Sequence, residues 1–337
     1  MEAEKKYITA EELRKHSTPG DLWISIRGKV YDVTEWAERH PGGEIPLRTL
    51  AGQDVTDAFL AYHPVSAWQH LEGLYTGYRV RDFAPSEVSK DYRRLHAELA
   101  RLGMFEKKGH IAVCALTAIA LMLSLCVYGV VACEGVAVHF LCAVLLGLLW
   151  IQGAYMGHDS GHYQVMTTTG CNQITQLLAG NCLTGISIAW WKWTHNAHHL
   201  ACNSLDHDPD LQHIPFCLNH FSANVYMGPP NGSDWFEKQT GGTIDISCPT
   251  WMDWFHGGLQ FQLEHHLFPR LPRCQLRGIS PLARDLCKKH NLPYRSLSFW
   301  DANISTLRTL RTAALQARDL SSPVPKNLVW EAVNTHG

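Results

Sequence analysis

The chain of 337 residues is long enough for two or three domains, and its 29 Lys and Arg against 31 Asp and Glu leave a net charge of −2. Without a basic excess it lacks the electrostatic footprint of a nucleic-acid binder, and that class of partner is excluded. The 11 cysteines are dispersed without a Cys-x-x-Cys pair, several of them in apolar runs, so they read as reduced, packed thiols of a cytosol-facing protein rather than a disulfide framework.

Met1 to Lys6 leads into a polar segment with no signal-peptide core, so membrane insertion is expected to rely on internal segments. From Tyr7 to about Arg81, runs such as Leu22-Trp23-Ile24-Ser25-Ile26 alternate with acidic and turn residues, the pattern of a small α+β domain. Here Pro41-Gly42-Gly43 follows His40 and Pro64 follows His63. These breakers leave both histidines at element boundaries, where the rings can point into a cleft. Two histidines on opposing segments can fill both axial positions of a haem, which then carries electrons and does not activate oxygen. His-Pro-Gly-Gly, followed by Asp54-Val55-Thr56-Asp57-Ala58-Phe59 and a second histidine, resembles cytochrome b5, and the resemblance implies haem b held by His40 and His63. His70, on the helical pattern Trp68-Gln69-His70-Leu71, competes for the second position, which the family places at His63.

Residues 82–110 have the composition of a surface linker with a short interfacial helix, and His16, His96, His110 and His290 stand singly in polar segments as surface residues. About 111–133 and 136–157 are apolar runs long enough to cross a bilayer, joined by a tight hairpin at Glu134-Gly135. Lys107 and Lys108 before the first run and Lys192 after the second place both outer ends in the cytosol. Gln173 to Trp191 is apolar but interrupted by polar residues and glycines, and reads as interfacial, with Trp190, Trp191 and Trp193 near the headgroups.

Three histidine clusters follow: His158 with His162; His195 with His198 and His199; Gln262 with His265 and His266. Residues three and four apart share a helix face, so each cluster can present imidazoles in one direction. Seven imidazoles without a matching set of carboxylates favour a borderline transition metal over calcium or magnesium and are too many for one four-coordinate zinc. Asp159, Asp206, Asp208 and Glu264 are candidates to orient those rings. Trp251 to Leu259 suits a surface lying against lipid, Gly257 and Gly258 should break the chain before the Gln262 helix, and Ser305 to Leu320 reads as an amphipathic helix packed on the cytosolic domain.

The pattern His-x3-His, His-x2-His-His and Gln-x2-His-His resembles the membrane fatty-acyl desaturases, and Gln262 in place of a histidine resembles their front-end branch. The resemblance implies two non-haem iron ions held by His158, His162, His195, His198, His199, His265 and His266. His220, in Leu218-Asn219-His220-Phe221, is similar to an additional ligand of the superfamily, and Gln262 occupies the divergent position. Between Phe216 and Cys217 the sequence departs from the family, whose members carry a second transmembrane hairpin there; no long apolar run occurs from Leu200 onward.

The expected architecture is an α+β cytochrome b5-like domain (1–81), a linker (82–110) and an α-helical membrane desaturase domain (111–337) with two transmembrane helices and a cytosolic histidine-box cap. Its motifs are most similar to the plant Δ8 sphingolipid long-chain-base desaturases. That resemblance implies a membrane lipid substrate, dioxygen, NADH-cytochrome b5 reductase as electron donor, and a multi-pass place in the endoplasmic reticulum membrane with termini and histidine boxes cytosolic. A Δ6 acyl-lipid desaturase shares every motif, a hydroxylase can share the di-iron scaffold, and a catalytically dead membrane-anchored haem protein is the alternative from another class.

Overall fold

The computed structural model describes residues 6–107, 109–213, 218–232 and 235–320. β1 (Lys6–Ile8) leads into α1 (Ala10–Arg14), whose start is fixed by a capping box: the Thr9 hydroxyl accepts from Glu12 N, and the Glu12 carboxylate accepts from Thr9 N at 2.7 Å. β2 (Ser17–Thr18), β3 (Asp21–Ile26) and β4 (Lys29–Asp32) follow as antiparallel neighbours. After α2 (Ile45–Leu50), α3 (Thr56–Tyr62) and α4 (Trp68–Leu71), β5 (Tyr75–Val80) closes a five-stranded sheet of order β1-β5-β4-β3-β2. Leu22, Ile24 and Ile26 alternate along β3 onto one face and pack in one core with Leu50, Ala58, Phe59 and Leu71 of the three helices.

The stretch expected to be a surface linker is instead a weld. Its helix α5 (Glu87–Arg101) buries Val88, Tyr92 and Leu99, turns Glu87, Lys90, Arg94, Glu98 and Arg101 outward, and pairs Arg93 with the buried Asp57. Tyr92 is fully buried, donates from its hydroxyl to Leu267 O at 2.9 Å and packs against Trp235, Phe236 and Phe268. An aromatic side chain buried this fully contributes about 1.5–3 kcal/mol. One hydrophobic core therefore runs from the sheet through α5 into the C-terminal half. Composition misled here because an amphipathic helix is mostly polar wherever only one stripe is buried.

α6 (His110–Ala132) and α7 (Val136–Gly161), 23 and 26 residues long with mean hydropathy reaching 2.4 and 2.0 over their most apolar 18 residues, are long and apolar enough to cross a membrane. Leu121, Val131 and Phe140 are 61%, 80% and 72% exposed. The core helix of a soluble protein hides such side chains, whereas these helices turn them outward as lipid-facing helices do. The second helix continues past the expected end at 157 and carries His158 on its last turn.

α8 (Thr169–Gln176) widens into π-type turns over Leu177–Leu183 that lie along α7. The approach is close enough to require glycine: a Cβ on Gly157 would stand 3.1 Å from Gly180 Cα. Ile174, Leu177 and Leu178 stay exposed, as an interfacial segment requires. α9 (Ile188–Leu200) starts at Ser187, whose hydroxyl accepts from Trp190 N. α10 (Pro209–His213), α11 (Trp235–Gly242), β6 (Asp245–Ser247), α12 (Asp253–His256), α13 (Gln262–Leu267), α14 (Arg273–Lys289), β7 (Ser296–Ser298) and α15 (Phe299–Leu320) complete the chain, with β6 and β7 paired in parallel. Gly257 and Gly258, at φ 61° and 91°, break the backbone ahead of α13 as expected. The expected break at Phe216 and Cys217 lies outside the described residues.

Other expectations need correction. His96 is held among Tyr92, Phe105 and Phe268 rather than on the surface, and burial lowers it to about 4. His290 Nε2 meets Asp91 at 2.8 Å, and His16 stacks on Trp23 and pairs with Asp21; of the four only His110 is exposed. α15 turns Trp300, Ile304 and Leu307 outward and buries Ala302 and Thr306, so its large apolar residues do not form the packing face.

Candidate metal centre

The last turn of α7, the C-terminal half of α9 and the whole of α13 converge, and their histidines sort into two buried groups. His158, His162, His195, His199 and His265 form one; His198, His220 and His266, with Cys202, form the other. Within each group the ligand atoms lie within 4.8 Å of one another. The boxes thus do not each point one way. Adjacent helical residues diverge by about 100°, whereas residues four apart share a face. His195 and His199 therefore turn to the first group and His198 to the second, while His265 and His266 split between them. Gln262 Nε2 sits 2.9 Å from His220 Nε2, which places Gln262 beside the second group.

Most of these rings are anchored through Nδ1. His158 meets Asp159 at 3.0 Å, His195 meets Asp210 at 3.2 Å, and His198 meets Asp208 at 2.8 Å. His266 meets Gln239 Oε1 at 2.8 Å, and His220 meets Gly242 O at 2.8 Å. An acceptor at Nδ1 keeps the proton there and leaves Nε2 with a lone pair aimed inward. Yet His158 Nε2 and His195 Nε2 are 3.1 Å apart, and His195 Nε2 and His199 Nε2 are 3.0 Å apart. With the His158 and His195 protons committed to carboxylates, two lone pairs face each other in a dry site, an arrangement that a cation between them would relieve. His162 Nε2 and His266 Nε2 are buried with no hydrogen-bond partner among the described residues. A nitrogen-rich, buried donor set of this kind fits a borderline transition metal.

The electrostatics agree. Burial, reinforced by repulsion between neighbouring imidazoles, holds His162, His199, His265 and His266 well below the usual histidine range. Burial takes His195 to about 4 although Asp210 opposes it, and takes His220 to about 3. These rings are neutral at physiological pH and need no deprotonation to bind a metal. His198 is the exception: burial pulls it down, but Asp208 and Asp210 outweigh that and hold it at about 9, so a metal there displaces a proton.

Of the four acids expected to orient rings, Asp159 and Asp208 do so. Asp206 instead accepts from Gly228 N at 2.9 Å, and Glu264 shares the Tyr294 hydroxyl with Asp245. Asp210, Gln239 and the Gly242 carbonyl went unseen in the sequence. Asp210 belongs to the same Asp-rich stretch as Asp208; nothing local marks the other two. Cys202 was also missed, although it stands four residues after His198, and its Sγ is 3.7 Å from His220 Nδ1. Trp191, expected at the headgroups, turns inward and stacks on His195 at 4.5 Å, while Trp190 and Trp193 remain exposed.

Gln239 ties the groups together, because its Nε2 donates to His199 O at 3.0 Å while its Oε1 accepts from His266. Gln239→Ala is expected to weaken metal binding about 10–100-fold, the usual cost of losing a ring's supporting partner. Gln239→Glu, which still accepts from His266, should keep most of the affinity. Iron content after dialysis against a chelator reads both variants, and equal retention by Gln239→Ala and the parent would remove the bridging role.

The N-terminal pair is a separate site. His40 and His63 face each other with ring centroids 5.8 Å apart and planes 34° apart. His40 follows a short helical turn and His63 ends α3, the boundary positions expected of both. His40 Nδ1 meets Gly43 O at 2.7 Å and His63 Nδ1 meets Phe59 O at 3.2 Å, which again leaves the Nε2 atoms as acceptors. Burial, then repulsion from His40, lowers His63 to about 3. The pair therefore fits a haem iron bound from both sides. His70, the competing ligand, is exposed and stacks on Trp36.

Residues 9–80 match the family model of the cytochrome b5-like heme/steroid binding domain, and residues 134–233 and 216–298 match that of fatty acid desaturase as two stretches. The chain is 52% identical to the Delta(8)-fatty-acid desaturase 2 of Arabidopsis thaliana, covering 100% of this chain and 99% of the relative. It is 50% identical to the Delta(8)-fatty-acid desaturase of Helianthus annuus (99% and 97% covered) and 46% identical to an acyl-lipid (9-3)-desaturase of Borago officinalis (99% and 99%). The Arabidopsis alignment runs over 446 positions although this chain has 337 residues, so the relative carries residues that this chain lacks between its ends.

Proposed function

Given that the chain belongs to the fatty acid desaturases that carry an N-terminal cytochrome b5-like domain, a family of membrane oxidoreductases, we propose that it is a Δ8 desaturase of sphingolipid long-chain bases. The observation that carries the catalytic reading is the facing pair of Nε2 lone pairs at His158 and His195, each ring held by a carboxylate at Nδ1. The position of the double bond rests on relatives named for Delta(8) desaturation at 50–52% identity, against 46% for the acyl-lipid (9-3) relative. The long-chain base is the substrate implied by the motif resemblance.

His158, His162, His195, His199 and His265 would hold one iron, and His198, His220 and His266 the other, with Gln262 and Cys202 alongside; His40 and His63 would hold haem b. When bound, the iron pair supplies dioxygen activation and the abstraction of two hydrogens from adjacent methylenes, and the haem supplies single electrons. The polypeptide holds the rings. Asp159 fixes His158 and is itself held by Arg273 Nε from α14, so the helix after the third box steadies the first. Asp208 and Asp210 fix His198 and His195, and Trp191 lies over His195, His158 and His162. Lipid analysis that separates long-chain bases from acyl esters, made on a strain carrying the chain with the family hairpin restored, tests the substrate: Δ8 unsaturation confined to the bases is expected, and Δ6 unsaturation in the acyl fraction would replace this reading with the Δ6 one.

The boundaries 1–81 and 111–337 belong to the same proposal, with residues 82–110 as the welded stretch between them, as does a family hairpin missing near 216/217. The two matched desaturase stretches meet around that point, and the 446 aligned positions fit such a loss. Loss of a hairpin removes an even number of crossings, so the histidine boxes stay on one side. It also supports a second reading, a membrane-anchored haem protein without desaturase activity. The expected place is the endoplasmic reticulum membrane with both termini cytosolic and NADH-cytochrome b5 reductase as donor, since two spans return the chain to its starting side. Protease treatment of sealed microsomes should digest a C-terminal tag, and a protected tag would refute the topology.

A further inference from the structure

The haem-ligand edge of the N-terminal domain is not free. Tyr62, adjacent in sequence to His63, donates from its hydroxyl to His199 O at 3.2 Å, and its ring meets the His199 imidazole edge-on at 5.9 Å and Trp235 at 6.3 Å. Beside it the loop after His40 touches the same helix: a Cβ on Gly43 would come within 3.1 Å of Trp193 Cδ1, and Asn196 Nδ2 reaches Gly42 O at 3.5 Å. Both histidine-bearing segments of the N-terminal pair thus rest on α9, the helix that divides its histidines between the two metal groups. The carbonyl that Tyr62 binds is also the acceptor for Gln239 Nε2, whose Oε1 holds His266. One hydroxyl therefore joins the His63 turn to both groups, by one hydrogen bond to His199 and, through Gln239, by two more to His266. A tyrosine hydroxyl turned in against a packed core needs a partner, and a backbone carbonyl beside a metal-group histidine is a specific choice of one.

We propose that Tyr62 is a positioning residue for electron delivery: it fixes the His63 turn against the His199 turn and provides a path of a single hydrogen bond between the haem side and the metal side. The inference rests on the proposed haem and iron sites. Along this path each electron given up on the His40–His63 side is gained on the His199 side, one at a time. The external reductant is a nicotinamide-dependent flavoprotein, and dioxygen is the final oxidant. Tyr62 keeps its proton, because burial holds its phenol well above the usual range, and it acts by holding the two turns together.

The test compares the full-length chain with Tyr62→Phe and Tyr62→Leu, each loaded with haem and iron, and with the same proteins loaded with haem and zinc. The haem is reduced under argon by a limiting amount of dithionite, dioxygen is admitted, and reoxidation is followed by absorbance. Haem spectrum, haem potential and metal content are recorded for each protein. In the parent, iron should accelerate reoxidation over zinc. Tyr62→Phe, which keeps the ring and loses the hydroxyl, should slow the iron-dependent phase, and Tyr62→Leu should slow it roughly 100-fold, the scale of a small misplacement at a reacting centre. Spectrum, potential and metal content should not change, and a merely structural defect would alter those. Parent-like reoxidation in Tyr62→Leu overturns the inference and leaves the proposed sites standing. Equal rates with iron and zinc in the parent overturn the proposed metal centre, and the inference with it.

Discussion

Expressed in a yeast that lacks the enzyme, the 337-residue chain is expected to leave few or no Δ8-unsaturated long-chain bases, whereas a version with the family hairpin restored between Phe216 and Cys217 should make them in abundance. The described residues contain two helices long and apolar enough to cross a membrane, and both turn large apolar side chains outward along most of their length. Helices in a bilayer associate through close packing and hydrogen bonds rather than exclusion of water, so a single hairpin gives little enclosure to a long chain. Gln152 Nε2 on α7 donates to Trp254 O at 2.9 Å, and Trp251 and Trp254 beside it remain exposed. The histidines, by contrast, are already buried and anchored without the hairpin. The deficit should therefore lie in holding the substrate more than in holding iron. Comparison of long-chain bases from the two strains decides the matter: abundant Δ8 product from the present chain would show that the missing helices are dispensable.

His63→Ala in the full-length chain should abolish the spectrum of a six-coordinate, bis-histidine haem and with it any turnover supported by a nicotinamide-dependent reductase. Both rings spend Nδ1 on backbone carbonyls and present Nε2 across the gap, and replacement of either leaves the iron one axial ligand. His70 cannot substitute, since it is exposed and stacked on Trp36. His40→Ala should behave alike and His70→Ala should not. A bis-histidine spectrum that survives His63→Ala would move the axial ligand elsewhere. The iron content of His63→Ala should match the parent, because His63 donates to none of the rings of the metal groups.

Several features were legible from residue types and spacing because they are local. A proline or glycine after a histidine sets an element boundary, so His40 and His63 could be placed at the mouths of their segments. A charge-free run of about 20 residues is a spanning helix by length and polarity, which located α6 and α7 within a few residues. The three histidine clusters declared a metal site by number and by the scarcity of competing carboxylates.

Other features required the chain to be folded, because they join residues far apart in sequence. Helical spacing alone did not reveal that His198 and His266 leave their neighbours for a second group, since that depends on where α13 and His220 stand relative to α9. Gln239 carries no local signature and Asp210 only its place beside Asp208, and they became partners of His266 and His195 only when α11 and α10 closed over α9. The polar composition of residues 82–110 concealed a helix that buries Tyr92 against Leu267, a contact made across 175 residues. Residue identity and spacing determined which chemistry this protein can hold. Tertiary packing decided how the imidazoles divide, which neighbour holds each Nδ1 proton, and that the edge carrying His40 and His63 rests on the second histidine helix, because each of these depends on distances between segments that no sequence interval sets.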